Sequence, residues 1–413
     1  MSVTRKLVFL VLLAGCLFAS SLIAAGFTPD CWQAQASVTG SWPYRKPIVI
    51  QAAKVEAELA NFPVLLSFTD AALANEAQPD GDDICFVDAS NTIRLNHEIE
   101  RFNSATGELV AWVKLPILSS TADTTIYMYY GRSDISSQQN PTGVWDSNYK
   151  LVQHLDEATG NLYDSTSNNN YGKPEGGAVQ GTAGKIDGAI LFDGINDSVN
   201  MTNRESLNPT SKITVEAWIN FKSLGNGVGY YNSRAVSKGK PWIDGGYTIN
   251  DEDDHLRFCV RTGDTERTVS TTGTISINQW YYVAGSYSGT TLRIYLNGDQ
   301  NNYAVVSGAL QPSTGDLFLA CEDRDRYFNG IIDEVRISDV ARDASWIKTC
   351  YNNLNDPSSF ITVGAQQGSP PTPIPEFSST AILIVVTLTV TTMALVCRRP
   401  GKMPAKLWQR RQK

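Results

Sequence analysis

The chain has 413 residues, 42% of them hydrophobic and 10% aromatic, which is enough apolar content for more than one buried core. Its net charge of −8 understates the acidity of the body: setting aside Asp30, Arg5, Lys6 and the seven basic residues after Cys397 leaves 25 basic against 41 acidic residues, a net −16. A body of that charge disfavours nucleic acid as a partner and suits a soluble exterior or cation binding.

Arg5 and Lys6 precede an apolar run from Leu7 to Phe27, and the small-x-small pattern Ala34-Gln35-Ala36 follows. This assigns residues 1–36 to a secretory signal cleaved after Ala36. Leu13-Ala14-Gly15-Cys16 also has the form of a lipoprotein box, and a run this long would serve as an uncleaved anchor. All three readings export the chain.

Residues 41–148 read as short strands separated by turns: Tyr44–Gln51, Phe62–Phe68, Ile84–Asp88, Glu108–Leu115 and Thr124–Tyr130, with a turn at Pro79-Asp80-Gly81-Asp82. Alternation puts His97 on the face opposite Glu98 and Glu100, with no nucleophile near it, so these three are expected to be structural.

Residues 149–365 read as a second, larger antiparallel β-sandwich, with Trp218 and Trp280 in its core. Its last strand lies in Phe328–Arg342. There alternation groups Ile331, Asp333, Val335 and Ile337 on one face and Ile332, Glu334 and Arg336 on the other, which sets Asp333 among core-facing residues in need of a partner. The acidic run Asp251 to Asp254 reads as a solvated hairpin tip. The glycine-rich loop Ser223–Gly246 reads either as a ligand-binding loop, through Tyr230, Tyr231 and Trp242 with faces suited to stacking on sugar rings, or as a packed variable loop without ligand. Glu322 to Tyr327 is a second candidate. Cys85, Cys259, Cys321 and Cys350 show no C-x-x-C spacing, which argues against a zinc ribbon and leaves disulfides and buried thiols both open.

The words WPYRKPIVI, NFPVLLSF, DGDDICFVD, LNHEIERFNSATGELVAWVKLP, YMYYG and VWD resemble a domain-of-unknown-function family of secreted archaeal and bacterial proteins. That resemblance implies a jelly-roll-like sandwich and no established activity. The segments LVQHLDEATGNLYDSTSNNNYG, GAILFDGINDSVNM, ITVEAWINF, VSKG, NQWYYVAGSYSGTTLRIYLNG and FNGIIDEVRISDVAR resemble the laminin-G-like, concanavalin A-like jelly-roll superfamily. It implies a lectin-like module with a structural calcium ion held by Asp164 and Asp333, with Asn168 and Asn170 as further ligands. The other reading of that loop is an Asn-rich turn capped by its own side chains, with Asp333 bonded to loop amides. The E-x-D-x-x-E strand signature of hydrolases with this fold is absent, as are G-x-S-x-G, H-E-x-x-H and a P-loop, so no enzyme is expected.

Residues 366–376 form a Pro-rich spacer, residues 377–397 are apolar and long enough to span a bilayer as a helix, and residues 398–413 form a basic tail. The positive-inside rule then places the tail in the cytoplasm and both sandwiches outside. Pro375-Glu376-Phe377 resembles the archaeal PEF sorting tail, which implies an archaeosortase as partner. Asn196 and Asn200 begin glycosylation sequons. The reading is an all-β protein of two tandem antiparallel β-sandwich domains plus a C-terminal transmembrane helix. Its expected role is a membrane-anchored surface protein that binds extracellular carbohydrate or another surface ligand without catalysis. A structural envelope or adhesion protein is the alternative, and a glycoside hydrolase a more distant one.

Overall fold

Strands with alternating apolar residues pair into four sheets, every pairing antiparallel, in a computed structural model that describes residues 42–224 and 232–368. The first sandwich contributes β1 (Tyr44–Ile50), β2 (Leu59–Thr69), β3 (Cys85–Asp88), β4 (Arg94–Leu95), β5 (His97–Asn103), β6 (Glu108–Leu118) and β7 (Thr124–Tyr130). The second contributes β8 (Tyr149–Gln153), β9 (Lys173–Glu175), β10 (Val179–Ala183), β11 (Gly188–Asp193), β12 (Ser198–Asn200), β13 (Ile213–Phe221) and β14 (Arg234–Lys238). It continues with β15 (Tyr247–Glu252), β16 (His255–Thr262), β17 (Thr265–Ser270), β18 (Trp280–Tyr287), β19 (Thr291–Leu296), β20 (Asp299–Val305), β21 (Leu317–Leu319) and β22 (Asn329–Ser338). Two short strands, β23 (Ile361–Val363) and β24 (Gln367–Gly368), return to pair with β1.

The first sandwich faces the sheet β23-β1-β7-β3-β4 against the three strands β2-β6-β5. Ile48, Phe62, Val64, Phe86, Leu109 and Met128 belong to its buried core. The second sandwich faces β10-β11-β22-β13-β18-β19-β20, with β8 also on β22, against β17-β16-β15-β14-β21-β12-β9. β13 shows the period of two plainly. Ile213, Val215, Ala217, Ile219 and Phe221 enter the core between these sheets, whereas Trp218 on the opposite face joins the core of the first sandwich. Gly285 on β18 leaves room for Phe258, whose ring would lie 2.2 Å from any Cβ built there.

A bulge in β22 corrects the alternation expected for the last long strand. Trp218 pairs with Asp333 and Glu216 with Arg336, so one extra residue is inserted, and Glu334 takes φ +53° to accommodate it. Ile332, Val335 and Ile337 therefore face the sandwich core. Asp333 and Arg336 lie on the other face, opposite Trp218 and Glu216. Asp333 is fully buried, as expected, but at the contact between the sandwiches rather than inside one of them.

A helix, Ala344–Asn355, fills that contact; no helical period was read there from sequence. Asp343 caps it by accepting from the Trp346 amide at 2.8 Å. Asn353 then mimics a strand toward the edge strand β2, accepting from Leu65 N at 2.7 Å and donating to Leu65 O at 3.0 Å. Trp218 is 1% exposed here rather than in the inner core, and Trp280 is partly buried against the same cluster. No helix among the described residues is long and apolar enough to cross a membrane. The signal, the spacer beyond Gly368, the 377–397 segment and the basic tail lie outside the described residues, whereas Gln367 and Gly368, at the start of the expected spacer, pair as a strand with β1.

Candidate functional site

The two stretches proposed separately for ligand binding meet on the second sandwich. Arg234 opens β14, and its backbone amide donates to Arg326 O at 3.1 Å. Its guanidinium Nε lies 3.2 Å from Glu322 Oε1, with the two side chains only 4% and 2% exposed. Glu322 and Asp325 exchange backbone hydrogen bonds of 2.8 and 3.0 Å around Asp323 and Arg324, both at positive φ. That tight turn presents Glu322 inward and its neighbours outward.

Trp242 completes the arrangement. Its indole Nε1 donates to the other Glu322 oxygen at 3.3 Å, and the Arg326 guanidinium lies 5.7 Å from its ring centroid. The side chain is nevertheless 43% exposed. The indole edge is thus anchored to a buried ion pair while much of the ring meets solvent. Lys240 reaches Asp323 at 2.7 Å on the same rim. An aromatic face flanked by cationic and carboxylate groups can stack on the C–H face of a sugar and hydrogen bond its hydroxyls. Tyr230 and Tyr231 lie outside the described residues.

The residues expected to share a calcium ion are engaged in separate sets of hydrogen bonds. Asp164 accepts from Val152 N (3.1 Å), Thr166 N (3.0 Å), Thr166 Oγ1 (2.9 Å) and Asn170 N (2.8 Å). Those four donors occupy both oxygens of its carboxylate. Asn168 donates to Tyr149 O and Thr166 Oγ1, and Asn170 donates to Lys150 O and exchanges hydrogen bonds with Ser206. Asp333 turns instead to the amides of Lys185 (2.6 Å) and Ile186 (3.1 Å). The hydrogen bonds are those of the self-capped turn, with Asp333 bonded through one oxygen to loop amides and its other oxygen buried without a partner.

Of the sequons, Asn196 is exposed, whereas Asn200 is buried and its amide donates to Asp316 at 3.3 Å, which removes it as a glycan acceptor on the folded chain. The acidic hairpin tip is a tight turn with Asp253 and Asp254 at positive φ, while Asp251 behind it is buried and accepts from Ser233. Cys85, Cys259, Cys321 and Cys350 are buried free thiols. One group escaped the sequence reading altogether: His154, which gathers Glu98, Glu100 and Glu334 around its ring. The only signal was the presence of acids in both LNHEIE and HLDE.

The fold defines a class of two antiparallel β-sandwich modules in one chain. Residues 193–348 match the concanavalin A-like lectin/glucanases superfamily, and residues 80–175 match the domain of unknown function DUF2341. The chain therefore carries a concanavalin A-like domain preceded by a DUF2341 domain, as the motifs in its sequence imply. Among curated proteins none matches it.

Three solved structures illustrate the likeness. The binding domain of Paraclostridial Mosquitocidal Protein 1 is 17% identical at a TM-score of 0.42, over 49% of this chain and 52% of that one. Domain 4 of AbnA, a GH43 extracellular arabinanase from Geobacillus stearothermophilus solved with arabinotriose, is 19% identical at 0.41, over 49% and 97%. The receptor binding domain of botulinum neurotoxin mosaic serotype C/D is 12% identical at 0.41, over 49% and 50%. The chain spans about half the length of the two toxin domains.

Proposed function

We propose that this is an exported, membrane-anchored surface protein whose concanavalin A-like domain binds extracellular carbohydrate without catalysis, through the surface around Trp242. The observation that carries the reading is an indole left 43% exposed although its edge is fixed by the buried Arg234–Glu322 pair. An exposed tryptophan whose indole nitrogen is held by a buried carboxylate is preorganised, so less conformational entropy is lost when a ring stacks on it. Export rests on residues 1–36, and anchoring on the apolar 377–397 segment and the basic tail; Pro375-Glu376-Phe377 supports processing by an archaeosortase. The test is a glycan array probed with the full-length protein in calcium and again in chelator. Binding to one sugar class in both conditions, with the sugar recovered intact, is the expected result. Absence of binding by folded protein would favour a structural envelope role, and shortened glycans would favour a hydrolase.

A further inference from the structure

Three segments distant in sequence converge at the contact between the two sandwiches. Glu100 comes from β5 of the first, His154 directly follows β8, and Glu334 is the bulge residue of β22. His154 Nδ1 lies 2.8 Å from Glu334 Oε1 and 3.5 Å from Glu100 Oε2. One donor atom from each of the three lies within 4.8 Å of the others. Their side chains are only 6%, 1% and 0% exposed for His154, Glu100 and Glu334.

The surroundings are those of a ligand set rather than of a simple ion pair. Glu100 Oε1 is buried and has no hydrogen-bond partner, although its other oxygen accepts from Trp112 Nε1 at 2.8 Å. An unsatisfied carboxylate oxygen inside a protein is costly and marks a missing partner. The opposite ring nitrogen, His154 Nε2, faces Glu98 Oε2 at 3.5 Å, and Glu98 is itself held by Trp145 Nε1 (2.9 Å) and Ser165 Oγ (2.6 Å). Nε2 makes no hydrogen bond at that distance, and Glu98 is the carboxylate placed to orient the imidazole once the ring moves within reach of it. Arg336 bonds Glu334 through Oε2, which leaves Oε1 toward the imidazole.

We propose that Glu100, His154 and Glu334 bind one transition-metal dication, through one imidazole nitrogen and two carboxylates, and that this ion clasps the two sandwiches together. Metal–ligand bonds of about 2.0–2.2 Å put tetrahedral ligands roughly 3.3–3.5 Å apart, so the donor spacings change by no more than about 1.5 Å. A nitrogen donor in a dry, indole-walled site disfavours calcium, and imidazole with carboxylate suits zinc. Because the site is closed by both sandwiches, the ion is taken up as they assemble.

The test uses the full-length protein, unfolded in chelator and refolded with or without zinc. One zinc per chain, with a higher unfolding temperature than the metal-free sample, is expected. X-ray absorption of the loaded wild type should show nitrogen and oxygen ligands and no sulfur. Glu100→Gln keeps an acceptor for Trp112 and should lose at least about tenfold in zinc affinity. Wild type that refolds without retaining zinc, a sulfur ligand, or wild-type zinc content in folded Glu100→Gln would each overturn the proposal.

Discussion

Asp333 and Arg336 lie three residues apart on β22 and face the same side of the sheet, because Glu334 is inserted between their pairing partners at φ +53°. That single extra residue delivers three charged side chains to the contact between the sandwiches. Glu334 is then the anion between His154 and Arg336, both buried and both within ion-pair distance of it.

Removing that anion is therefore expensive. Glu334→Ala should destabilise the protein by about 3–5 kcal/mol, because it strands the buried Arg336 guanidinium and removes the carboxylate nearest His154. Equilibrium denaturant unfolding of the full-length protein measures this; a loss below about 1 kcal/mol would show that the network carries little of the contact.

Asp333 is a different case. Burial, and next the neighbouring Glu334 charge, push its carboxyl well above the usual range. Asp333→Asn keeps an acceptor for the Lys185 and Ile186 amides and should cost less than about 1 kcal/mol, whereas Asp333→Ala leaves both amides unpaired and should cost about 1–3 kcal/mol. Calcium and chelator should give the same unfolding temperature for wild type. A calcium-dependent rise abolished by Asp333→Asn would restore this residue as a ligand.

His97 supplies a pH dependence whose sign is fixed by burial. Enclosed in the first sandwich with Phe86 against its ring, it is pushed down to about 4 chiefly by desolvation and then by the Arg94 charge, against smaller opposing effects of the Leu95 and Ile84 backbone and of Glu98. Below its unfolded pKa of 6.5 the unfolded chain takes up a proton that the native state refuses until about pH 4. Its contribution is therefore full above pH 6.5 and is lost, by up to about 3 kcal/mol, as pH falls toward 4. The difference between wild type and His97→Leu, followed by unfolding at successive pH values, should show that slope; a flat difference would contradict it.

The four thiols should be inert. Burial raises Cys85 to about 12 and Cys321 to about 11, and all four side chains are enclosed. Reductant should leave the unfolding temperature unchanged, and native alkylation should be slow at every site. A drop in stability with reductant would reveal a disulfide.

Much of the fold was legible because its strands alternate cleanly. β3 and β7 fall where apolar periodicity placed them, at Ile84–Asp88 and Thr124–Tyr130, since both neighbours of each are strands of the same sheet. Elements held by long-range contacts were not. The helix Ala344–Asn355 depends on Asn353 meeting β2 some 288 positions away, and β20 is largely exposed, with little apolar pattern to read. The site was half legible. Trp242 and the Glu322 turn were each singled out, but their junction through Arg234 is a tertiary fact. The His154 cluster was hidden because the β22 bulge breaks the alternation used to assign faces.

The surface around Trp242 remains the centre of the account. The most direct measurement compares wild type and Trp242→Ala for affinity toward the sugar class captured on the array, with Tyr163→Ala, an exposed aromatic elsewhere, as control. Loss of the stacking face should weaken Trp242→Ala by at least about tenfold and leave the control unchanged. Equal affinity in wild type and Trp242→Ala would place the ligand elsewhere and contradict the reading.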